Sequence, residues 1–413
     1  LTHFNVKEVI FMRFSERIKA LSASPIRRLI PYADEAKAKG KKVFHLNIGQ
    51  PDIKTPQGYF DAIRSFKVDT IAYAASQGRN ELRDAISAYY HAWDIPYDRD
   101  DIYITNGGSE ALSFAVQAIC DPGDEILLPE PFYANYNTFA NAALAKIVPI
   151  PTRAEEGFHL PPLEAIEKLV TPRTRALWFS NPGNPTGAVY TQKELEAAAH
   201  LAKKHDLYII ADEVYREFTY DGDKFTSFAS FPDIRDRVIM IDSVSKRFSA
   251  CGARIGCIAI KNKDFMAQVL KLCQARLCVS TLEQVGATAL YATPKSYLEE
   301  VNREYKTRRD TLYKALKEID GVICEEPKGA FYIMVKFPVD DCEKFIIWML
   351  QNFDINGETT MAAPGNGFYA AADRGRNEMR LAYVLKNEDL VKAMTILKGA
   401  LAAYPGRVEA IKA

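Results

Sequence analysis

A chain of 413 residues, 48% hydrophobic and 26% charged, has the composition of a globular protein and is too long for one small core. Its 53 Lys and Arg balance 53 Asp and Glu, and this zero net charge, with no basic stripe, argues against a nucleic-acid partner. No apolar run reaches membrane-spanning length, the six histidines lack metal-ligand spacing, and seven cysteines without a Cys-x-x-Cys read as reduced thiols of a cytoplasmic protein.

In chain order, Val9-Ile10-Phe11-Met12 is too short for a signal-peptide core, and Glu8 interrupts its approach. Met12 is a candidate natural start, residues 1–11 then being vector-derived or mis-started. From residue 100 to 260, short β-branched apolar runs alternate with amphipathic stretches. The runs read as buried strands at 102–105, 125–129, 145–150, 175–180, 207–211, 238–242 and 256–260. Between them, 109–120 reads as a helix stopped by Asp121-Pro122-Gly123. Thr191, with Glu194 three residues on, is a capping box opening a helix over 191–206. Such alternation predicts an α/β fold around a mostly parallel sheet. Beyond residue 260, helical patterns at 263–279 and 295–319 precede a strand at 330–337 and helices at 341–352 and from Asn387. The expected division is an N-terminal segment over 1–57 packing on the small domain, a large domain over 58–293 and a smaller α+β domain over 294–413. Lys203-Lys204 and Arg308-Arg309 fall on helical stretches and are expected on solvated faces.

Ligands of open α/β sheets bind at the carboxyl ends of the strands. Here those ends deliver Asn106-Gly107-Gly108-Ser109, Glu130-Pro131-Phe132-Tyr133, Asn181 to Gly187, Asp212-Glu213-Val214-Tyr215 and Ser243-Val244-Ser245-Lys246. Each element has a plain structural reading. Gly-Gly-Ser can be a turn and N-cap, Asp212-Glu213 can cap a helix, and Lys246 alone would be one more exposed lysine. Together they suit one ligand that carries a phosphate, an aromatic ring, a ring nitrogen needing a carboxylate and an aldehyde needing an amine. Pyridoxal phosphate has all four.

The residues that carry this pattern are Asn47-Ile48-Gly49-Gln50-Pro51-Asp52, Tyr73, Gly107-Gly108-Ser109, Tyr133, Asn181–Gly187, Asp212–Tyr215, Ser243–Arg254 and Arg380-Leu381-Ala382-Tyr383. In this order they resemble the class I/II aminotransferases, fold-type-I pyridoxal-phosphate enzymes with a seven-stranded sheet, from Ser24 to near the C-terminus. The resemblance implies that Lys246 carries the cofactor as a Schiff base and shuttles the substrate proton. It implies that Asp212 holds the pyridine nitrogen protonated, that Tyr215 and Asn184 bind the ring oxygen, and that Tyr133 stacks on the ring. Gly108, Ser109, Ser243 and Arg254, eight residues after Lys246, would bind the phosphate. Arg380, assisted by Asn184 and the Gly49 backbone, would grip the substrate α-carboxylate. Tyr73 would reach the phosphate of a neighbouring subunit, which implies a homodimer, and the Asn184–Pro185 peptide would be cis. Tyr73 also has a reading as a part-buried tyrosine, and Arg380 as a structural ion-pair partner.

The expected reaction is ping-pong transfer of an amino group from aspartate or a broad, aromatic-including range of amino acids to a 2-oxo acid such as 2-oxoglutarate. The same motifs suit a carbon–sulfur β-lyase. A cofactor-binding regulator is disfavoured because the roughly two dozen residues ahead of Ser24 are too few for a helix-turn-helix module. A nicotinamide dehydrogenase is disfavoured because no Gly-x-Gly-x-x-Gly follows an early strand. No arginine is assignable from the sequence to a second substrate carboxylate.

Overall fold

The computed structural model describes residues 13–21, 24–371 and 373–409, so the expectation about Met12 and residues 1–11 lies outside them. Its strands are β1 (Lys42–His45), β2 (Ile102–Asn106), β3 (Glu125–Glu130), β4 (Lys146–Pro151), β5 (Thr174–Ser180), β6 (Tyr208–Asp212), β7 (Val238–Ser243), β8 (Ile255–Ala259), β9 (Tyr332–Lys336), β10 (Glu358–Met361), β11 (Ala363–Pro364) and β12 (Glu378–Ala382).

Strands β2 to β8 form one seven-stranded sheet in the order β2-β8-β7-β6-β5-β3-β4. It is parallel except for β8, which runs antiparallel to both β2 and β7. Each of the seven runs expected as strands between residues 100 and 260 coincides with one of these strands to within one residue at either end. The central strands are covered on both faces, as continuous burial of β7 and β8 requires. Alternate residues divide between two cores. Leu127, Leu177, Ile209 and Met240 pack on one side, and Ile126, Trp178, Ile210 and Ile239 on the other. Helix Gly108–Ile119 packs on the second of these faces. Helix Gln192–Lys204, on the first face, opens with the expected capping box, in which Thr191 Oγ1 accepts from the Glu194 amide and Glu194 Oε2 accepts from the Thr191 amide.

C-terminal to this sheet, β11, β12 and β9 make an antiparallel sheet, and β1 pairs in parallel with β10. Leu29, Ala33, Phe44 and Leu46 share one core with Val301, Leu312, Phe345 and Leu397. Residues 29–46 are thereby bound to the C-terminal part of the chain.

The arginine pair on helix Lys295–Lys317 corrects one expectation. Lys203 and Lys204 are exposed, but Arg308 and Arg309 are only 3% and 1% exposed. Each guanidinium is buried because carboxylates and carbonyls satisfy it. Arg308 donates to Asp52 at 2.7 Å and to the Val384 carbonyl, and Arg309 donates to Asp221 and the Pro327 carbonyl, each at 2.7 Å. A charge pair in sequence does not reveal such partners, which come from distant segments.

Candidate active site

A cavity of about 590 Å³ opens at the carboxyl ends of β5, β6 and β7, between the main sheet and the C-terminal part. The last residue of β6, Asp212, lies at its base. Burial pushes the Asp212 carboxyl up to about 6, although a hydrogen bond from Tyr136 Oη at 2.6 Å opposes the shift. Tyr136 is held by stacking on Trp178, with ring centroids 4.2 Å apart.

Strand β7 ends at Ser243, and the short turn of helix Val244–Arg247 that follows presents Lys246 to the cavity. Lys246 Nζ donates to the Gly49 carbonyl at 2.9 Å. Beneath this turn lies a buried ion cluster. Asp242 accepts from Arg247 and from Arg216 at 3.3 Å, while Glu213 accepts from Arg216 and Ser227 at 2.8 Å. Burial pushes the Glu213 carboxyl up to about 7, and the Arg216 guanidinium works against that shift. The cluster joins the chain neighbours of Asp212 and Lys246, so it fixes the two strand ends relative to each other.

On the opposite wall, Gly107 takes a left-handed φ of +74°, and helix Gly108–Ile119 begins immediately after it. A Cβ at Gly107 would stand 2.4 Å from Arg254 Nη2, so glycine lets the guanidinium lie against the turn. Ser109, Ser243 and Arg254 line the cavity around this helix start. Backbone N–H groups at a helix start, two hydroxyls and a guanidinium are a donor set suited to an anion.

The third wall comes from the C-terminal part. Arg380 on β12 is 1% exposed, donating through Nη1 to Asn184 Oδ1 at 2.9 Å and through Nη2 to the Asn47 carbonyl at 2.6 Å. Tyr332 and Phe368 cover the guanidinium, with ring centroids at 4.4 and 4.9 Å. Arg380 Nε has no protein partner. Tyr215 and Tyr332 share a hydrogen bond between hydroxyls of 3.0 Å, and Asn135 Nδ2 donates to Tyr133 Oη at 2.8 Å. The Asn184–Pro185 peptide is cis, as are Asn181–Pro182 and Glu130–Pro131.

Gly49, Gly108, Ser109, Tyr133, Asn184, Asp212, Tyr215, Ser243, Lys246, Arg254 and Arg380 thus surround one cavity. Tyr73 does not line it and is 79% exposed. Tyr136 and Tyr332 were not singled out from sequence, and Asn47, which opens the first motif, was given no role of its own. Tyr136 belongs to no motif, its one signal being its place three residues after Tyr133. Tyr332 points inward by the alternation of β9, which a single strand pattern does not relate to a distant cavity.

Three comparisons with known proteins bear on this geometry. The model of the family "aminotransferase class I and II" matches residues 41–397. The chain belongs to this family. Among relatives, it is 31% identical to an aspartate aminotransferase of Bacillus subtilis, with 94% of this chain and 98% of that protein covered. It is 33% identical to a probable aspartate/prephenate aminotransferase of Aquifex aeolicus, covering 94% and 98%. Among solved structures, an alanine aminotransferase from Pyrococcus furiosus superposes with a TM-score of 0.87 at 32% identity, covering 95% of this chain and all of that one.

Class I and II aminotransferases are pyridoxal-phosphate-dependent enzymes, and this aminotransferase has a cavity that fits the cofactor. A half-buried amine, a buried carboxylate and a helix start with the donors an anion needs meet in one space of suitable size. Among the described residues no cluster of metal-ligating side chains occurs, and no helix is long and apolar enough to cross a membrane.

Proposed function

We propose that this aminotransferase moves the amino group of an amino acid to a 2-oxo acid such as 2-oxoglutarate, in ping-pong order, with the cofactor carried on Lys246. The observation behind this reading is the convergence of Lys246, Asp212 and Arg380 on one cavity. When bound, pyridoxal phosphate supplies an electron sink for the bond broken at the substrate Cα.

The residues divide the remaining work. Arg380 grips the α-carboxylate with its planar fork, oriented by Asn184 and the Asn47 carbonyl, and the Gly49 backbone lies beside it. The Lys246 amine, once free, would take the proton from the substrate Cα and hold it as an ammonium, while the Gly49 carbonyl steers it. Asp212 would keep the ring nitrogen protonated. Tyr215 and Asn184 would donate to the ring oxygen, and Tyr133 would pack on the ring. Gly108, Ser109, Ser243 and Arg254 would hold the phosphate. Tyr73, exposed in the single chain, would reach the phosphate of a second copy, which makes the working unit a homodimer. The free thiols at all seven cysteine positions suit the reducing cytoplasm.

The test is single-turnover chemistry on the cofactor-loaded protein. An amino acid added without any acceptor should release one equivalent of its 2-oxo acid per subunit and then stop, and a 2-oxo acid should restart turnover. Steady-state kinetics that require a ternary complex would overturn the ping-pong order. Continuous release of pyruvate and ammonia from cysteine would instead mark a β-lyase.

A further inference from the structure

The cations of the cavity wall are unequally occupied. Arg254 donates to the Cys251 carbonyl at 3.1 Å beside the anion site, Lys246 to the Gly49 carbonyl, and Arg380 to Asn184 and Asn47. Arg27 also lines the cavity, yet it is exposed, and its side chain has no hydrogen-bond or ion-pair partner among the described residues. The one carboxylate among the wall residues, Asp212, is engaged with Tyr136 at the base.

Local structure holds Arg27 at this place. Residues 25–29 form a turn in which the Arg27 amide donates to the Ser24 carbonyl at 3.1 Å. The next residue, Arg28, is tied to Glu343 and to Asn366 Oδ1, the latter at 2.8 Å, which anchors the turn on the C-terminal part. Asn47 then couples the turn to the substrate end of the cavity. Its side-chain amide donates to the Ile26 carbonyl at 2.9 Å, while its own carbonyl accepts from Arg380 Nη2 at 2.6 Å. One residue therefore sets the spacing between Arg380 and the turn that carries Arg27.

We propose that Arg27 binds the distal carboxylate of dicarboxylic substrates, so that the enzyme prefers four- and five-carbon amino acids with a second carboxylate, and their 2-oxo acids. The proposal rests on the transamination reading and adds the substrate class to it. A substrate held by its α-carboxylate at Arg380 would project its side chain into the remaining space, where Arg27 is the lining cation without a side-chain partner among the described residues. An exposed guanidinium gains little from an ion in open water, but the interaction strengthens once substrate has displaced water from the cavity. A flexible, exposed arginine also permits apolar side chains, so the preference is graded, with dicarboxylates favoured by about 10- to 100-fold for one charge-assisted hydrogen-bonded pair.

The test uses the cofactor-loaded protein and two non-reacting probes, maleate and propionate, in titration calorimetry. Arg27→Leu should weaken maleate binding about 10- to 100-fold relative to its effect on propionate, and Arg27→Lys should restore part of the loss. Maleate binding to the unaltered protein should weaken with rising salt. The ratio of kcat/KM for aspartate over alanine should fall in Arg27→Leu by a similar factor, mainly through KM. Equal maleate affinity in the Arg27→Leu and unaltered proteins overturns the proposal and leaves transamination standing. Absence of 2-oxo acid release from every amino acid overturns transamination, whatever maleate does.

Discussion

Tyr136 Oη and Asp212 Oδ2 lie 2.6 Å apart with both residues buried, so the carboxylate at the base of the cavity is held by a phenol rather than by a second charge. Burial lifts this carboxyl from the usual 3.8 to about 6, and the Tyr136 bond limits the rise. A carboxyl whose folded pKa lies above its unfolded value destabilises the fold as pH rises through that interval. The cofactor-free protein should therefore lose stability between about pH 4 and 6 on account of Asp212. Affinity for pyridoxal phosphate should rise over the upper part of the same window, as the carboxylate that faces the ring nitrogen forms. Tyr136→Phe removes a donor to the charged form, worth on the order of one pKa unit. The midpoint of cofactor affinity against pH should then move up by about one unit in a titration of the cofactor-free protein. An unmoved midpoint would deny Tyr136 any part in supporting Asp212.

Arg380 makes its two polar contacts from separate nitrogens, to Asn184 and to the Asn47 carbonyl, with the Tyr332 and Phe368 rings against its guanidinium. Lysine keeps the charge and loses both the fork and the stacking plane. Arg380→Lys should raise KM for every amino acid, whatever its side chain, by about 100-fold for two lost charge-assisted bonds. A loss confined to dicarboxylic substrates would show that Arg380 reads the side chain and not the α-carboxylate.

The main sheet was legible because its strands are short, buried and separated by strong helix signals. Each run therefore had one reading, and a period error could not accumulate. The residues at the strand ends were legible for a different reason, since Gly107, Asn184, Asp212 and Lys246 sit at the ends of strands or just after them, each inside a short motif that is contiguous in sequence. Tyr332 and Arg27 were not legible as partners of that site, and Asn47, although it opens the first motif, was not legible as the link between Arg380 and the Ile26 turn. They arrive from β9 and from the N-terminal segment, and only long-range packing decides which cavity they face. The same cause concealed Arg308, whose partners are 256 and 76 residues away.

Gly49 lies against Tyr332 so closely that a Cβ there would stand 1.8 Å from the tyrosine hydroxyl. Its carbonyl also accepts from Lys246, and Tyr332 in turn contacts Tyr215 and Arg380. Gly49→Ala must therefore displace Tyr332 or the loop, and either movement misplaces the amine by a fraction of an ångström or more. A fall in kcat/KM of about 100-fold is expected from a misplacement approaching 1 Å. Adding Tyr332→Ala opens the space that the new methyl needs, so the double variant should recover part of the thermal stability lost by Gly49→Ala. If Gly49→Ala matches the unaltered protein in both turnover and thermal unfolding, the close packing of this pair has no functional weight.

Arg308 joins three parts of the chain at once. It donates to Glu304 on its own helix at 2.8 Å, to Asp52 in the segment leading from Gly49, and to the Val384 carbonyl just after β12. Leucine would fill part of the volume but leave the buried Val384 carbonyl without a donor and Asp52 without its cation. The orphaned carbonyl is the larger effect, about 1–3 kcal/mol. The Asp52 side chain is 38% exposed, so solvent screens the ion pair and its loss adds about 1 kcal/mol or less. Arg308→Leu should thus destabilise the protein by about 2–3 kcal/mol in denaturant unfolding, and Arg308→Lys by less, since lysine can keep one of the bonds. Asp52→Asn alone should cost under about 1 kcal/mol, and a double-mutant cycle with Arg308→Leu isolates the pair. A coupling energy that exceeds the effect of losing the carbonyl bond would mean that the Asp52 contact is far better shielded from water than its exposure implies.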